Sequence, residues 1–308
     1  MTVRALITGV AGFIGSHIAE ALLDKGHEVW GIDNLTTGRI ENVPSGVRLV
    51  EGDIRSFEEW VRLRLDGHAD GCDVIYHCAA SYKDRGDWER DASTNVLGTI
   101  NVVREAQRVG AKIVYFQTSL CYGPNPASPI QPDAPLAPQG SYAVSKTAGE
   151  SYIRDSGVEY VSLRLANIYG PRNLSGPVPT FFQRLTEGKP CTVVDSRRDF
   201  VFVDDLVRVA VKAATQGRGV YHVSSGLDYP INALYWAVAN AMKIDAPEPT
   251  QVARGADDVA TLLLDPTDTL MEFGWAARTP LVAGIRAAVD WYKAHGVTET
   301  FTHLSMKG

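Results

Sequence analysis

Tyr142 and Lys146, in Ser141-Tyr142-Ala143-Val144-Ser145-Lys146, stand four residues apart in a stretch of helical periodicity, so both project from one helix face. A free phenol titrates near ~10, too high for a base at neutral pH, but an ammonium a few ångströms away favours the phenolate. An exposed surface pair would show the same spacing, so the pair gains meaning only from its company. Phe116-Gln117-Thr118-Ser119-Leu120-Cys121-Tyr122-Gly123 supplies some of it. There an apolar strand-like run ends in hydroxyls, at the edge where open α/β sheets bind ligands.

A third cluster is Gly9-Val10-Ala11-Gly12-Phe13-Ile14-Gly15, a GxxGxxG between an apolar run at 3–8 and a helical pattern at 13–25. Gly9 allows a tight turn, Gly12 lets a pyrophosphate approach the backbone, and Gly15 lets the helix pack closely on the strand. The free N–H groups of the helix start, Phe13 and Ile14, then meet the phosphates. Asp33 ends the next strand pattern (27–33), 18 positions after Gly15, where a carboxylate accepts from an adenosine ribose. The same charge repels a 2′-phosphate, favouring NAD, with Arg39 nearby keeping NADP open. Asn34 and Ala79 join the expected cofactor set, and Asp53-Ile54 is a candidate adenine contact, a helix cap being the alternative for Asp53.

These residues need a sheet to hold them. Further strand patterns at 47–51, 74–78, 113–116 and 160–164 alternate with helical ones, which predicts a doubly wound, Rossmann-like parallel α/β sheet over residues 1–170. Gly170-Pro171-Arg172 and Gly176-Pro177-Val178-Pro179 break the pattern, so residues 171–308 are expected to form a smaller α/β substrate-binding domain, ending in a helix near 281–294. The runs 199–205 and 219–223 suggest that the chain revisits the sheet, with return segments near 196–225, and the active site is expected in the cleft.

At 308 residues, with 45% hydrophobic and 21% charged, the composition is that of a globular chain and excludes bulk disorder. Thirty Lys+Arg against 36 Asp+Glu give a net charge of −6 without a basic block, so neither nucleic acid nor an anionic membrane is an expected partner. No apolar run reaches the ~18 residues of a membrane span, and a cytoplasmic location is expected. Cys72, Cys78, Cys121 and Cys191 lack CxxC spacing and read as core thiols, and no metal site is expected. His77 and His222, inside strand patterns, read as hydrogen-bonded core histidines.

Together GVAGFIG, Asp33, the 118–123 segment, the Tyr142/Lys146 pair and Arg164-Leu165-Ala166-Asn167-Ile168-Tyr169-Gly170-Pro171-Arg172 resemble the extended short-chain dehydrogenase/reductases, in their NAD-dependent nucleotide-sugar epimerase/dehydratase branch. The resemblance implies that Thr118 hydrogen-bonds the sugar O4, that Tyr142 removes its proton and that Lys146 binds the nicotinamide ribose. It also places Asn95 on a helix behind the cofactor, with Asn167, Arg198 and Arg254 on the substrate diphosphate and a homodimer built on helices near 95–109 and 141–155. Dehydratases of this branch carry Asp-Glu after the threonine, and decarboxylases usually a glutamate. Ser119-Leu120 stands there instead, and leucine exchanges no proton. What remains is 4-epimerisation of a UDP-hexose or UDP-uronic acid through a transient 4-keto sugar, the cofactor being regenerated each turnover. Ser119, with Arg172, could help hold a C6 carboxylate, and Leu262, where a tyrosine would restrict space, suggests room for an N-acetyl group. A 4-ketosugar reductase using NAD(P)H, a dehydratase or decarboxylase, and a non-catalytic NAD(H)-binding regulator are the alternatives. The polar segment 81–88 is either a loop covering the site or a solvated one.

Overall fold

Apolar runs bounded by glycine turns become short parallel strands here because both of their faces are covered by helices. The structure, a computed structural model, describes residues 2–65, 67, 70–82, 86–124, 127–254, 260–297, 299 and 300. The chain runs β1 (Arg4–Thr8), α1 (Phe13–Leu23), β2 (Glu28–Asp33), β3 (Arg48–Glu51), α2 (Phe57–Leu65), β4 (Val74–His77), α3 (Trp88–Ala92), a π-helical turn (Ser93–Gly98), α4 (Thr99–Val109), β5 (Lys112–Thr118), a 3-10 turn (Ser119–Tyr122), α5 (Ser141–Asp155) and β6 (Tyr160–Leu165). Then follow β7 (Asn167–Tyr169), α6 (Pro177–Thr186), β8 (Thr192–Val194), β9 (Arg197–Phe202), α7 (Val203–Ala213), β10 (Gly219–Val223), β11 (Asp228–Pro230), α8 (Ile231–Met242), β12 (Thr250–Val252), β13 (Thr261–Leu262), α9 (Thr267–Phe273) and α10 (Leu281–His295).

A seven-stranded, Rossmann-like sheet has the order β10-β6-β5-β4-β1-β2-β3, parallel at every pairing. The order reverses between β1 and β4, which opens a crevice at their carboxyl ends. Alternate residues face opposite layers. Ile7, Tyr76, Val114 and Phe116 share a core with Ile18 and Leu22 of α1, while Leu6, Ile75, Ile113 and Tyr115 share another with Val102, Ala106 and Ile153 of α4 and α5.

The expected return to this sheet is only partly met. β10 takes its edge beside β6 and α7 packs on α1, but β9 joins a separate four-stranded sheet with β7, β11 and β13. β10 already pairs with β6, and Phe200 and Phe202 of β9 pack around Tyr169. A two-stranded sheet, β8 with β12, lies apart from both.

The two strand histidines are buried and neutral by construction. Thr99 Oγ1 donates to the Asn95 carbonyl, so His77 Nε2 donates to Thr99 Oγ1 (2.9 Å) and His77 Nδ1 accepts from Thr8 Oγ1 (2.7 Å). Arg164 donates to the Tyr122 phenol (2.6 Å), which meets His222 Nε2 (2.6 Å), and His222 Nδ1 reaches the Asp265 carbonyl (3.0 Å). Burial lowers both imidazoles, His222 to about 4 and His77 well below its usual range, with the Lys146 charge adding to the effect on His77. An imidazole depressed in the folded state gives stability that is lost as pH falls below the unfolded value, about 6.5. Buried Asp199 is raised to about 6, so it acts in the opposite direction between its unfolded value and pH 6. Acidification from pH 7.5 to 5 is therefore expected to cost about 2 kcal/mol from His222, less about 1.4 kcal/mol from Asp199, with His77 and the lowered Lys146 ammonium both adding to the loss, so that the net effect is destabilising. Urea unfolding at the two pH values checks this, and unchanged midpoints would refute it.

Candidate active site

The glycine turn lies at the crevice between β1 and β4. Gly9 has φ +73°, and a Cβ there would come 2.7 Å from the Ala79 nitrogen; at Gly15 it would come 2.3 Å from the Gly9 carbonyl oxygen. Both glycines are thus required by close backbone approach. Gly12 caps α1 without a side-chain acceptor, so the opening N–H groups at Phe13 and Ile14 have no side-chain cap and suit an anion. Asp33, at the end of β2, accepts from the Ala11 and Leu35 N–H groups (2.9 Å each), and its burial raises it above the usual carboxylate range. Asn34 donates to Asp53 (3.0 Å), which also pairs with Arg55 at 2.7 Å. Against burial, the Arg55 and Asn34 hydrogen bonds hold Asp53 at about 2. The cap of α2 is Ser56, whose Oγ accepts from Glu59 N–H, so Asp53 is not the helix cap. Ile54 is buried beside Gly98, and its carbonyl is held by Trp60 and Asn101. The Ala79 N–H donates to Thr8 Oγ1 (3.2 Å). This turn, the uncapped helix start and the Asp33 carboxylate fit a dinucleotide.

Asn95 lies in the π-helical turn before α4. Its amide accepts from Ser81 N–H (2.8 Å) and donates to Ser81 O and Ser145 Oγ (3.0 Å each), while Ser81 Oγ donates to buried Asp91 (2.7 Å). One side chain thereby ties the loop leaving β4 to α5. Sequence reasoning singled out segment 81–88 without a role for Ser81 and missed Asp91 and Ser145, for which only the serine between Tyr142 and Lys146 offered a signal. Of segment 81–88, residues Lys83-Asp84-Arg85 lie outside the described residues.

Thr118 ends β5, and Tyr142 and Lys146 lie in the first turns of α5, which packs on β5 and on the 3-10 turn behind Thr118. Thr118 Oγ1 accepts from Leu120 N–H (3.2 Å), leaving its own hydrogen to donate. Ser119 is buried in that turn. Burial pushes the Tyr142 phenol well above its usual value, with the Tyr82 and Asp91 fields acting the same way, and lowers Lys146 to about 7. Burial dominates at both groups, because low-dielectric surroundings penalise either charge. The chain alone holds Tyr142 as a neutral phenol.

The smaller sheet collects other predicted residues. Asn167 opens β7 and donates to the Asp199 carbonyl (3.1 Å), and Arg198 lies on β9, pairing in register with Leu262 of β13. Leu262 is buried with Cys121, Tyr122, Ile130 and Leu264. Arg254 follows β12 in the other small sheet and is exposed; residues 255–259, with Asp257 and Asp258, lie outside the described residues. Arg172 does not serve as the sequence suggested. Its guanidinium is paired with Glu20 (2.6 Å) and Ser16 of α1 (3.2 Å), which commits it to joining α1 to the chain after β7.

Comparison with known proteins agrees with this arrangement. The model of the NAD dependent epimerase/dehydratase family matches residues 5–224. The chain is 32% identical over 322 residues to UDP-glucose 4-epimerase of Mycolicibacterium smegmatis, spanning 94% of this chain and 98% of the relative. The crystal structure of the Bordetella bronchiseptica enzyme WbmH in complex with NAD+ is 46% identical, with a TM-score of 0.91 over 96% of this chain and 100% of that one. WbmG of the same organism, in complex with NAD and UDP, is 41% identical, with a TM-score of 0.89 over 99% of each chain. With a matching family model over most of its length and a glycine turn, carboxylate and Tyr/Lys helix in the corresponding fold, the chain belongs to the NAD-dependent epimerase/dehydratase family.

Proposed function

We propose that the protein is an NAD-dependent nucleotide-sugar 4-epimerase acting on a UDP-hexose or UDP-uronic acid. The observation that carries this reading is the approach of Thr118 to the Tyr142/Lys146 helix beside the dinucleotide turn, with Ser119-Leu120, not an acidic pair, next to the threonine. Bound nicotinamide supplies the site that takes the C4 hydride and gives it back. Thr118 donates to the sugar O4, and Tyr142 takes the O4 proton and later returns it. Lys146 would hold the nicotinamide ribose, and its ammonium together with the positive charge of the oxidised nicotinamide would offset the effect of burial and favour the Tyr142 phenolate, the form that accepts the O4 proton. Leu120 moves no proton, so the position after Ser119 supplies no acid for elimination of water.

The rest of the site is assigned in the same way. Phe13 and Ile14 N–H groups meet the dinucleotide phosphates, Asp33 the adenosine ribose, and Asn34, Asp53 and Ile54 the adenine end. Asn95 and Ala79 back the nicotinamide half, and Asn167, Arg198 and Arg254 receive the sugar-nucleotide diphosphate, beside Ser119. Residues 1–170, with α7 and β10, form the cofactor domain, and the remainder forms the substrate domain. The aliphatic Leu262 supports including N-acetylated sugars among the substrates.

The test is a proton NMR time course in D₂O, without added cofactor, on UDP-, dTDP- and GDP-hexoses and UDP-uronic acids. A C4 epimer free of deuterium supports the reading. Deuterium at C3 or C5, an accumulating keto sugar, or turnover only after NADPH is added would overturn it, the last in favour of a reductase.

The homodimer is part of the proposal. Leu97, Val144 and Tyr152 are about half exposed on the outer side of the π-turn, α4 and α5, beside a groove of about 250 Å³ lined by Ile100, Val103, Arg104 and Gln107. Three large apolar side chains on one helical face, with Arg104, Gln107, Asp155 and Ser156 around the groove, suit a two-fold contact with a second copy. The double variant Val144→Glu/Tyr152→Glu is expected to sediment at half the wild-type mass. An unchanged mass would place the contact elsewhere.

A further inference from the structure

Two residues of β5 that sequence reasoning did not single out reach the same atom of the catalytic helix. Tyr115 and Gln117 are two apart, so their side chains leave the strand on one face, toward α4 and α5. Both are buried. Tyr115 Oη donates to the Lys146 carbonyl oxygen (2.9 Å), and Gln117 Nε2 donates to that oxygen too (3.2 Å). The other end of the Gln117 amide is also occupied, its Oε1 accepting the Thr118 N–H (2.8 Å). A planar amide therefore spans the gap between the backbone of Thr118 and the backbone of Lys146. Tyr115 does a second thing, since the Lys146 ammonium lies 3.9 Å from the centroid of its ring. A cation over an aromatic face is favoured most where water is excluded, as it is at this buried lysine. Gly149 makes the approach possible, because a Cβ there would come 2.6 Å from the Asn95 carbonyl oxygen and 3.0 Å from Tyr115 Oη.

We propose that Tyr115 and Gln117 are positioning residues for the reaction: the Gln117 amide sets the separation of Thr118 from the Tyr142/Lys146 helix, and the Tyr115 ring holds the Lys146 side chain as an ammonium. The first half rests on the epimerase reading; the second can be read without turnover. Hydroxyl and base act on one sugar oxygen, so their separation must match a single O4 position. A shift of about 1 Å can cost on the order of a hundredfold in rate. Gln117 and the Tyr115 hydroxyl oppose such a shift from the strand side, where neither touches substrate. The ring acts against burial, which disfavours charge on Lys146. The other titratable groups acting on Lys146 are His77 at the end of β4, Cys78 directly after it and Glu150 one turn further along α5, and all are left intact by the variants below.

The experiment compares Tyr115→Phe, Tyr115→Leu and Gln117→Met in the full chain. Turnover and KM are measured per folded molecule, alongside Tm and the titration of Lys146 followed by NMR in protein labelled with ¹³C-lysine. Tyr115→Phe keeps the ring and is expected to titrate with the wild type. Tyr115→Leu is expected to lower the Lys146 midpoint by about 1.5 units, the scale of a desolvated cation–π contact. Gln117→Met keeps the volume and loses both hydrogen bonds, and is expected to lower kcat at least about tenfold with KM within about threefold. Equal Lys146 midpoints in the Phe and Leu variants overturn the role of the ring. Wild-type kcat in folded Gln117→Met, with only Tm reduced, overturns the role of the amide. Tyr115 variants that show the expected Lys146 midpoints, alongside a wild-type chain that turns over no nucleotide sugar, would refute the epimerase reading and the amide's role in it, and leave the ring's role standing.

Discussion

Tyr142→Phe is expected to lower epimerase turnover at least about a hundredfold, the scale of losing a positioned general base, while the purified protein keeps its NAD. The ring stays, so the packing of α5 and the Ser145 Oγ bond to the backbone carbonyl of residue 142 are unaffected. Only the hydroxyl that exchanges the O4 proton is lost. Burial already holds that phenol far above neutrality. A water molecule admitted in place of the hydroxyl is a far weaker base than a phenolate, so rescue by solvent is not expected. Single-turnover epimerisation, with bound cofactor measured by absorbance after denaturation, checks both halves. Turnover within about tenfold of wild type would remove Tyr142 from proton transfer.

Gly15→Ala carries the second large effect, and acts on the cofactor. The added carbon would sit 2.3 Å from the Gly9 carbonyl oxygen and 3.0 Å from Val10 Cα, both backbone atoms with no rotamer to yield. α1 must therefore move off β1, and its opening N–H groups move with it. Overpacking of this kind costs typically about 1–3 kcal/mol, which expressed as cofactor affinity is about fivefold to 150-fold. NAD occupancy after purification and Tm are the measurements. Full occupancy with an unchanged Tm would show that the turn does not govern the cofactor.

Some of this was written in short segments of sequence. The glycine turn, the carboxylate at the end of β2 and the Tyr/Lys spacing each lie within a span over which backbone geometry alone relates the residues. The two buried histidines were legible for a similar reason, since a histidine inside an apolar strand run must find partners. Arg172 was not legible: its positively charged side chain suited an anion, but the structure pairs it with Glu20, 152 residues away. Nor was the place of β9. Its apolar alternation suits either sheet, and the choice depended on β10 taking the edge beside β6.

The sequence by itself determined the parallel sheet, the dinucleotide turn and the helix bearing Tyr142 and Lys146, because local periodicity and turn chemistry act between near neighbours. Only the tertiary structure decided what holds those groups to one another. The Ser81–Asn95–Ser145 tie, the burial that raises Tyr142 and lowers Lys146, and the convergence of Tyr115 and Gln117 on the Lys146 carbonyl all join distant segments. A residue type states which bonds a side chain can make. Which bond it makes, and in what dielectric, is set by the segments that packing brings against it.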